Sequence, residues 1–546
     1  MVRNILIAAA AALSATAAAS PPVMPPAPAA PPKLLLVISV DMLSADLFDE
    51  YRPHFTGGLA RLARGTLFRN GYQSHAATET CPGHSTILTG NRPARNGIVA
   101  NHWTDQSAAR EDKSIYCAED ERVPGSTSRK YTLSPVHLRG PTLGELMKRD
   151  WPQARNVAVG GKDRSAIMMS GHRADQAWYW DGKAFATAIE GAVPPASVAA
   201  TNAAVSAAIA SPREPLSSTP FCAAKAQPIS IVGHSAPVGA GAFARAAGDS
   251  SRFRASPEFD GATLALSAGL IQEMKLGQGP APDLLSIGLA ATDFVGHSYG
   301  LGGQEMCLQL LSLDRDLGDF FALLDRSGID YAVALTADHG GEDIPERLRL
   351  KGIVNAQRVD ANLAAPTVGK LVASKLGLSG PVLIGDVSGD IYLDRALAPA
   401  NRARALAEAV RTYRAHPQVA AVFTSDELKR TALPVAAPDK WSLIERVRAS
   451  FDAERSGDFY VVLNQHVTPI VNVAAYVATH GTPWDYDRRV PILFWRPGMA
   501  PVTREEAVET VDIMPTLSAM LRPLGAAPDT DGKCLSGIQG VVCPRR

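Results

Sequence analysis

The sequence predicts an α/β protein with a mainly parallel central sheet flanked by helices, and three observations lead there. Short, nearly continuous apolar runs recur at residues 33–40, 283–290 and 331–336, the pattern of strands buried on both faces. Segments with apolar residues three and four apart separate these runs, and such alternation of strand and helix builds parallel sheets. Each run also ends close to an aspartate: Asp41, Asp293 and Asp338. Ligands in open α/β sheets sit beyond the C-terminal strand ends, so the three carboxylates are expected to share one rim.

Composition narrows the class of protein. The 546 residues are 46% hydrophobic and 20% charged, with 54 basic against 54 acidic side chains. That is an ordinary globular balance, and without a basic stripe nucleic acid is not an expected partner. Residues 1–19 read as a secretory signal: Arg3 near the start, an apolar Ala-rich stretch, and Ala17-Ala18-Ala19 before Ser20. Residues 20–32 are a Pro/Ala-rich linker, and 33–546 are expected to form the catalytic domain. No later segment has the length of a membrane span. The expected location is secreted, in the periplasm where the cell has two membranes. Six cysteines agree with an oxidising compartment and allow 15 pairings. Cys534 with Cys543 is the easiest of these to expect, because it closes a short loop.

Taken in order, Lys33 to Val40 is the first strand and Phe55 to Leu67 an amphipathic helix. Thr78 to Gly90 follows, with Pro82 placed where a helix tolerates it, in the first turn. Residues 104–137 are polar and irregular, an excursion expected to lie over the site. Asn156 to Val159 is a strand, Trp178 to Phe185 a hairpin about Asp181-Gly182, and Leu264 to Lys275 a helix. Cys307 to Leu324 is a helix ahead of the strand at Tyr331 to Thr336. Within an insertion near 350–464, Pro381 to Leu393 and Ser456 to Asn464 read as strands of a smaller subdomain with a helix over Arg402 to Tyr413. Pro491 to Trp495 is expected as the last strand and Val511 to Leu521 as the closing helix.

Thr80 is the centre of the candidate chemistry. It lies at a helix N-terminus, where free backbone N–H groups attract an anion, although taken alone it reads first as a capping residue. Asp293 and His297 are one helical turn apart and can face one ion. Asp338-His339-Gly340-Gly341 follows a strand, and the glycines permit a sharp turn there. His480 and Asp41 complete three Asp and three His in separate loops, enough for two ions with Thr80 between them. Oxygen and nitrogen ligands without thiolate suit zinc best among divalent ions, with Mn or Co chemically acceptable. A hydroxyl is a weak nucleophile until a nearby cation lowers its pKa. Asn101 can donate to a phosphoryl oxygen. Lys162 and Arg164, two apart and on one side if extended, can neutralise a dianion.

Together these motifs resemble the threonine-nucleophile (PafA-like) alkaline phosphatases of the alkaline phosphatase superfamily. The residues that carry the resemblance are Thr78-Glu79-Thr80-Cys81-Pro82-Gly83-His84, Asp41, Lys162-Asp163-Arg164, Asp293 with His297, Asp338-His339-Gly340 and His480-Gly481, within about 33–515. The resemblance implies the alkaline-phosphatase-like fold and two Zn2+ per chain. It places Asp293, His297 and His480 on one ion and Asp41, Asp338 and His339 with Thr80 on the other. It also implies Asn101, Lys162 and Arg164 around the phosphate, and small-molecule phosphate monoesters as substrates. An additional structural Ca2+ and the oligomeric state are left open. Sulfatases, which carry Cys or Ser at the nucleophile position and Arg where His84 stands, fit poorly. Nucleotide pyrophosphatase/phosphodiesterases share the threonine and metal pattern and are the alternative. A non-catalytic phosphate-binding protein is the third reading.

Overall fold

A computed structural model describes residues 30–521 and 529–544. The expected signal segment at 1–19, and the linker up to residue 29, lie outside the described residues. A ten-stranded sheet forms the centre: β1 (Leu34–Val40), β2 (Thr66–Tyr72), β3 (Asn156–Gly160), β4 (Gln176–Trp180), β5 (Phe185–Ala186), β6 (Asp283–Leu289), β7 (Tyr331–Thr336), β8 (Arg489–Trp495), β9 (Val502–Arg504) and β10 (Val508–Glu509). Across the sheet the order is β9-β2-β8-β7-β1-β6-β3-β4-β5, with β10 also paired to β2.

The middle of the sheet is parallel. β1 lies between β6 and β7, and β3 between β6 and β4, all in the same direction. Three pairings run antiparallel: β8 with β2, β8 with β7, and β4 with β5. The sheet is therefore mixed, and its parallel part is the centre that carries the site.

The apolar runs explain this arrangement. All seven residues of β1 and of β6 are buried. Alternate side chains of β1 enter different cores, Leu34, Leu36, Ile38 and Val40 on one face and Leu35 and Val37 on the other, as a strand's two-residue period requires. The helices Pro257–Met274 and Gln304–Ser327 cover the first face. Leu143–Asp150 and Ile513–Leu521 cover the second. No helix among the described residues is long and apolar enough to cross a membrane.

Two expectations change. Phe55 to Leu67 is not one helix: only Gly58–Leu62 is helical, and Leu67 belongs to β2. A Cβ on Gly65 would lie 2.2 Å from the Phe494 carbonyl oxygen, so the chain passes hard against β8 there and enters the sheet. Arg489–Trp495 is not the last strand either, because β9 and β10 follow it and pair with β2.

The insertion near 350–464 builds a separate four-stranded sheet, ordered Leu383–Ile384, Gly389–Leu393, Phe459–Leu463 and Val419–Thr424. The helices Ala365–Leu376 and Pro399–Arg414 pack on it over its own apolar core. The excursion at 104–137 is largely irregular, and a two-stranded ribbon, His102–Thr104 with Ser114–Tyr116, marks its start.

Candidate active site

Four strand ends deliver charged groups to one place. Asp41 follows β1, Lys162 lies just past β3, Asp293 stands four residues after β6, and Asp338 two residues after β7. Above them runs helix α1 (Thr80–Thr89), with Thr80 as its first residue. A Cβ on Gly83 would sit 2.0 Å from the Asp338 carbonyl oxygen. Glycine at that position is what lets the helix bearing Thr80 lie directly on the end of β7.

Lys162 and Arg164 are not side by side on an extended segment. Lys162 is the extended N-cap of helix α2 (Asp163–Ser170), and Arg164 is the second residue of that helix. Both still reach the threonine: Lys162 Nζ donates to the Thr80 hydroxyl at 3.3 Å, and Arg164 Nη2 lies 3.5 Å from it. Lys162 Nζ also donates to Asp293 Oδ2 at 2.6 Å and lies 3.0 Å from Asp41 Oδ2. Burial disfavours its charge, yet Asp293 and Asp41 hold its pKa above the ordinary value. Arg164 stands beside a braced carboxylate, since Asp163 accepts hydrogen bonds from the Tyr116 and Tyr131 hydroxyls at 2.6 and 2.8 Å. Asn101 Oδ1 accepts from the Cys81 N–H at 2.8 Å. With its oxygen so used, the side chain presents its amide N–H groups to the cleft it lines.

Helix α3 (Ala291–Tyr299) puts Asp293 and His297 one turn apart. Asp293, His297 and His480 then gather as one potential ligand group, and Asp41, His84 and Asp338 as a second. The histidines share one device. Nδ1 of His297, His339 and His480 is hydrogen-bonded to the carbonyl oxygens of Ala478, Gly340 and Thr78 at 2.8, 2.8 and 2.7 Å. A carbonyl only accepts, so each Nδ1 carries the proton, and in the neutral ring Nε2 is a bare lone pair.

The three Nε2 atoms face carboxylates. His297 Nε2 and His480 Nε2 are 3.3 and 3.4 Å from Asp293 Oδ1, and His339 Nε2 is 3.2 Å from Asp338 Oδ2. Burial pushes the His480 pKa down to about 3, so its ring is neutral. Burial also acts against charge on His339, but the adjacent Asp338 holds that pKa up at about 9. Asp41 Oδ1 and Oδ2, Asp293 Oδ1, Asp338 Oδ2 and His339 Nε2 are buried with no hydrogen-bond partner among the described residues. Buried polar atoms left without a hydrogen bond are expensive. A divalent cation between imidazole and carboxylate would satisfy all of these atoms, and nitrogen and oxygen donors of this kind suit zinc. The Nδ1–carbonyl bonds are the outer support that metal-binding histidines ordinarily have.

The structure thus brings together Asp41, Thr80, Asn101, Lys162, Arg164, Asp293, His297, Asp338, His339 and His480. Sequence reasoning missed His84. It is four residues beyond Thr80 on α1 and fully buried, with Nε2 3.4 Å from Asp41 Oδ1 and Nδ1 3.4 Å from Asp338 Oδ2. Its one-turn spacing from Thr80 was the available signal. The turn at Gly340-Gly341 also has another cause than a left-handed backbone. A Cβ on Gly340 would lie 2.2 Å from the Tyr486 carbonyl oxygen, so close approach, not φ, requires glycine.

The cysteines pair as Cys81–Cys117, Cys222–Cys307 and Cys534–Cys543. The first bridge joins the residue after Thr80 to the excursion, and the third is the pair the sequence made easiest to expect. Around the site opens a cleft of about 890 Å³ between the central sheet, the ribbon and the small sheet.

The sequence profile of the type I phosphodiesterase / nucleotide pyrophosphatase family matches residues 35–482. Alkaline phosphatase PhoK of Sphingomonas sp is 50% identical, covering 92% of this chain and 91% of that protein. Alkaline phosphatase PhoD of Zymomonas mobilis is 44% identical over 93% of this chain and 89% of its own length. The crystal structure of alkaline phosphatase PafA superposes with a TM-score of 0.79 at 23% identity, covering 90% of this chain and 96% of that one, and shows the same fold. This chain is a hydrolase of the type I phosphodiesterase / nucleotide pyrophosphatase family, within the alkaline phosphatase superfamily.

Proposed function

We propose that this protein is an exported alkaline phosphatase that hydrolyses phosphate monoesters through a phosphothreonine intermediate at a site for two zinc ions. The observation that carries the reading is the Thr80 hydroxyl at a helix N-terminus, within 3.3 Å of Lys162 Nζ and beside two buried sets of carboxylate and imidazole ligands. Asp293, His297 and His480 would hold one ion, and Asp41, Asp338 and His339 the other, with His84 supporting the second set. Bound there, the two ions would activate the threonine hydroxyl and stabilise charge on the departing ester oxygen.

The chain's own residues do the rest. Asn101, Lys162 and Arg164 orient the phosphoryl group, and Lys162 and Arg164 neutralise its outer oxygens. Thr80 Oγ forms the bond to phosphorus and gives up its proton, and the alcohol oxygen leaves with the bonding pair. Water then adds to the same phosphorus, Thr80 Oγ departs and regains a proton, and inorganic phosphate is released. Paired cysteines support an oxidising compartment such as the periplasm.

A phosphodiesterase is the alternative that the family keeps in view. Two cations converging on one hydroxyl suit a dianionic terminal phosphate better than a monoanionic diester. Assays of matched aryl monoester and diester substrates, with chelated and zinc-restored protein, test the reading. Zinc-dependent monoester turnover exceeding diester turnover supports it. A diester preference overturns it.

A further inference from the structure

The cleft is sorted by charge. Lys162 and Arg164 lie against the Thr80 hydroxyl, whereas Glu79, and Asp386 and Asp390 from the inserted subdomain, line the cleft as carboxylates. Glu79 is within electrostatic reach of both Asp386 and Asp390. Each of the three is held by one oxygen only. Glu79 Oε2 accepts from the Asn101 N–H at 2.6 Å, Asp390 Oδ1 from the Gly457 N–H at 2.7 Å, and Asp386 Oδ1 from the Val387 N–H at 2.9 Å. The second oxygen of each accepts no hydrogen bond among the described residues. Three carboxylates are thus fixed by the backbone and still have an oxygen to offer.

The rings of Tyr460 and Tyr476 line the same cleft. Carboxylate oxygens and aromatic faces are the two surfaces that attract an ammonium group. Arg129 also lines the cleft, but it extends into the adjoining groove beside Asp163 and Arg164, on the phosphate side. Glu79, Asp386 and Asp390 line the same cleft as Thr80, so an alcohol that departs into that cleft meets them.

We propose that this acidic side selects phosphate monoesters whose leaving alcohol carries an ammonium group, such as the phosphates of short amino alcohols and their quaternary methylated forms. The inference rests on the phosphomonoesterase reading above and adds the substrate class. Burial raises the pKa of Glu79, and that of Asp390 to about 7, so at alkaline pH an anionic leaving group would meet like charge, and a neutral polyol would find hydrogen-bond acceptors without charge attraction.

The test measures kcat/KM of the zinc-loaded full chain on phosphoethanolamine, phosphocholine, glycerol 3-phosphate and 3-phosphoglycerate. The ammonium esters should exceed glycerol 3-phosphate by ~10-fold, the effect of one partly buried charge-assisted contact, and 3-phosphoglycerate should be poorest. Raising the salt concentration should compress this order. In the Asp386→Asn/Asp390→Asn variant, the loss on the ammonium esters should exceed the loss on glycerol 3-phosphate by about the same ~10-fold. Glu79→Gln, which keeps an oxygen for the Asn101 N–H, should move the ratio in the same direction. Hydrolysis of all four esters without a charge order, or equal losses on every substrate, overturns the inference alone. Absence of phosphate release from every monoester overturns the underlying reading as well.

Discussion

Replacing Lys162 and Arg164 together by alanine should cost monoester hydrolysis far more than diester hydrolysis. A monoester brings two negative charges and a diester one, and the diester's extra ester group occupies the place where a cation would bind. Each charge-assisted contact contributes roughly 1.5–3 kcal/mol. The Lys162 side chain is 5% exposed, which puts it at the upper end. Arg164 is 24% exposed and shares its charge with solvent, which puts it at the lower end. Together they amount to ~4 kcal/mol, about 10³ in kcat/KM for monoesters, with diester turnover falling much less. Lys162 also sits against Asp293 and Asp41, so its removal unbalances two buried carboxylates. The assay therefore pairs kcat/KM on matched aryl monoester and diester substrates with metal analysis of the same samples. Equal losses on both substrates, with metal retained, would refute the phosphate-clamping role and favour the phosphodiesterase.

Thr80→Ala should lower turnover by several orders of magnitude while the metal content stays at the wild-type level, because every imidazole and carboxylate ligand remains; Thr80→Ser, which keeps a hydroxyl, should retain part of the rate, and near-wild-type activity of the alanine variant would remove Thr80 as nucleophile. Chelation should abolish activity and zinc restore it, with about two ions per folded chain. Asp293→Ala and His339→Ala should each lose metal together with activity, as elemental analysis would read. Asp260 gives a pH prediction at the start of the helix that carries Asp293. It accepts hydrogen bonds from the Ala291 N–H and from Gln309 Nε2, and burial pushes its pKa up from 3.8 to about 7. A carboxyl raised in this way contributes stability that is full below pH ~4 and lost as pH rises towards 7, on the order of 4 kcal/mol. Gln309 Oε1 has no partner among the described residues, so its amide can flip to accept from an asparagine. Asp260→Asn should accordingly match wild type in denaturant stability near pH 4 and exceed it at pH 8–9. An unchanged difference between the two proteins across that range would reject this account.

The strands that carry the site were legible because burial on both faces leaves a run such as LLLVISV little choice but a central strand. The rim of aspartates followed from the same runs, since topology places their C-terminal ends together. Other features depend on partners far away in sequence. β2 alternates weakly, and its strand character comes from β8, over four hundred residues later. His84 looks like any helical histidine until α1 lies on the end of β7 and brings it against Asp41 and Asp338. Lys162 and Arg164 reach Thr80 through a helix start, not through the extended spacing that made them candidates. The acidic side of the cleft draws on Glu79 and on a loop of the inserted subdomain, a juxtaposition that no local pattern encodes.

The bridge between Cys81 and Cys117 bears on how the site would hold its shape without bound cations. Gathering Asp41, Asp293 and Asp338 in one buried place works against the folded state, and bound cations would offset that repulsion only while they stay. The sulfur link does not come and go with solution conditions. Closing a loop of 36 residues restricts the unfolded chain by ~4 kcal/mol on a chain-entropy account, and it does so at the residue next to Thr80. Reversible charge neutralisation and permanent shape are thereby assigned to different chemistry. Such a division leaves the chain next to Thr80 tied in place whether or not cations occupy the carboxylate and imidazole groups.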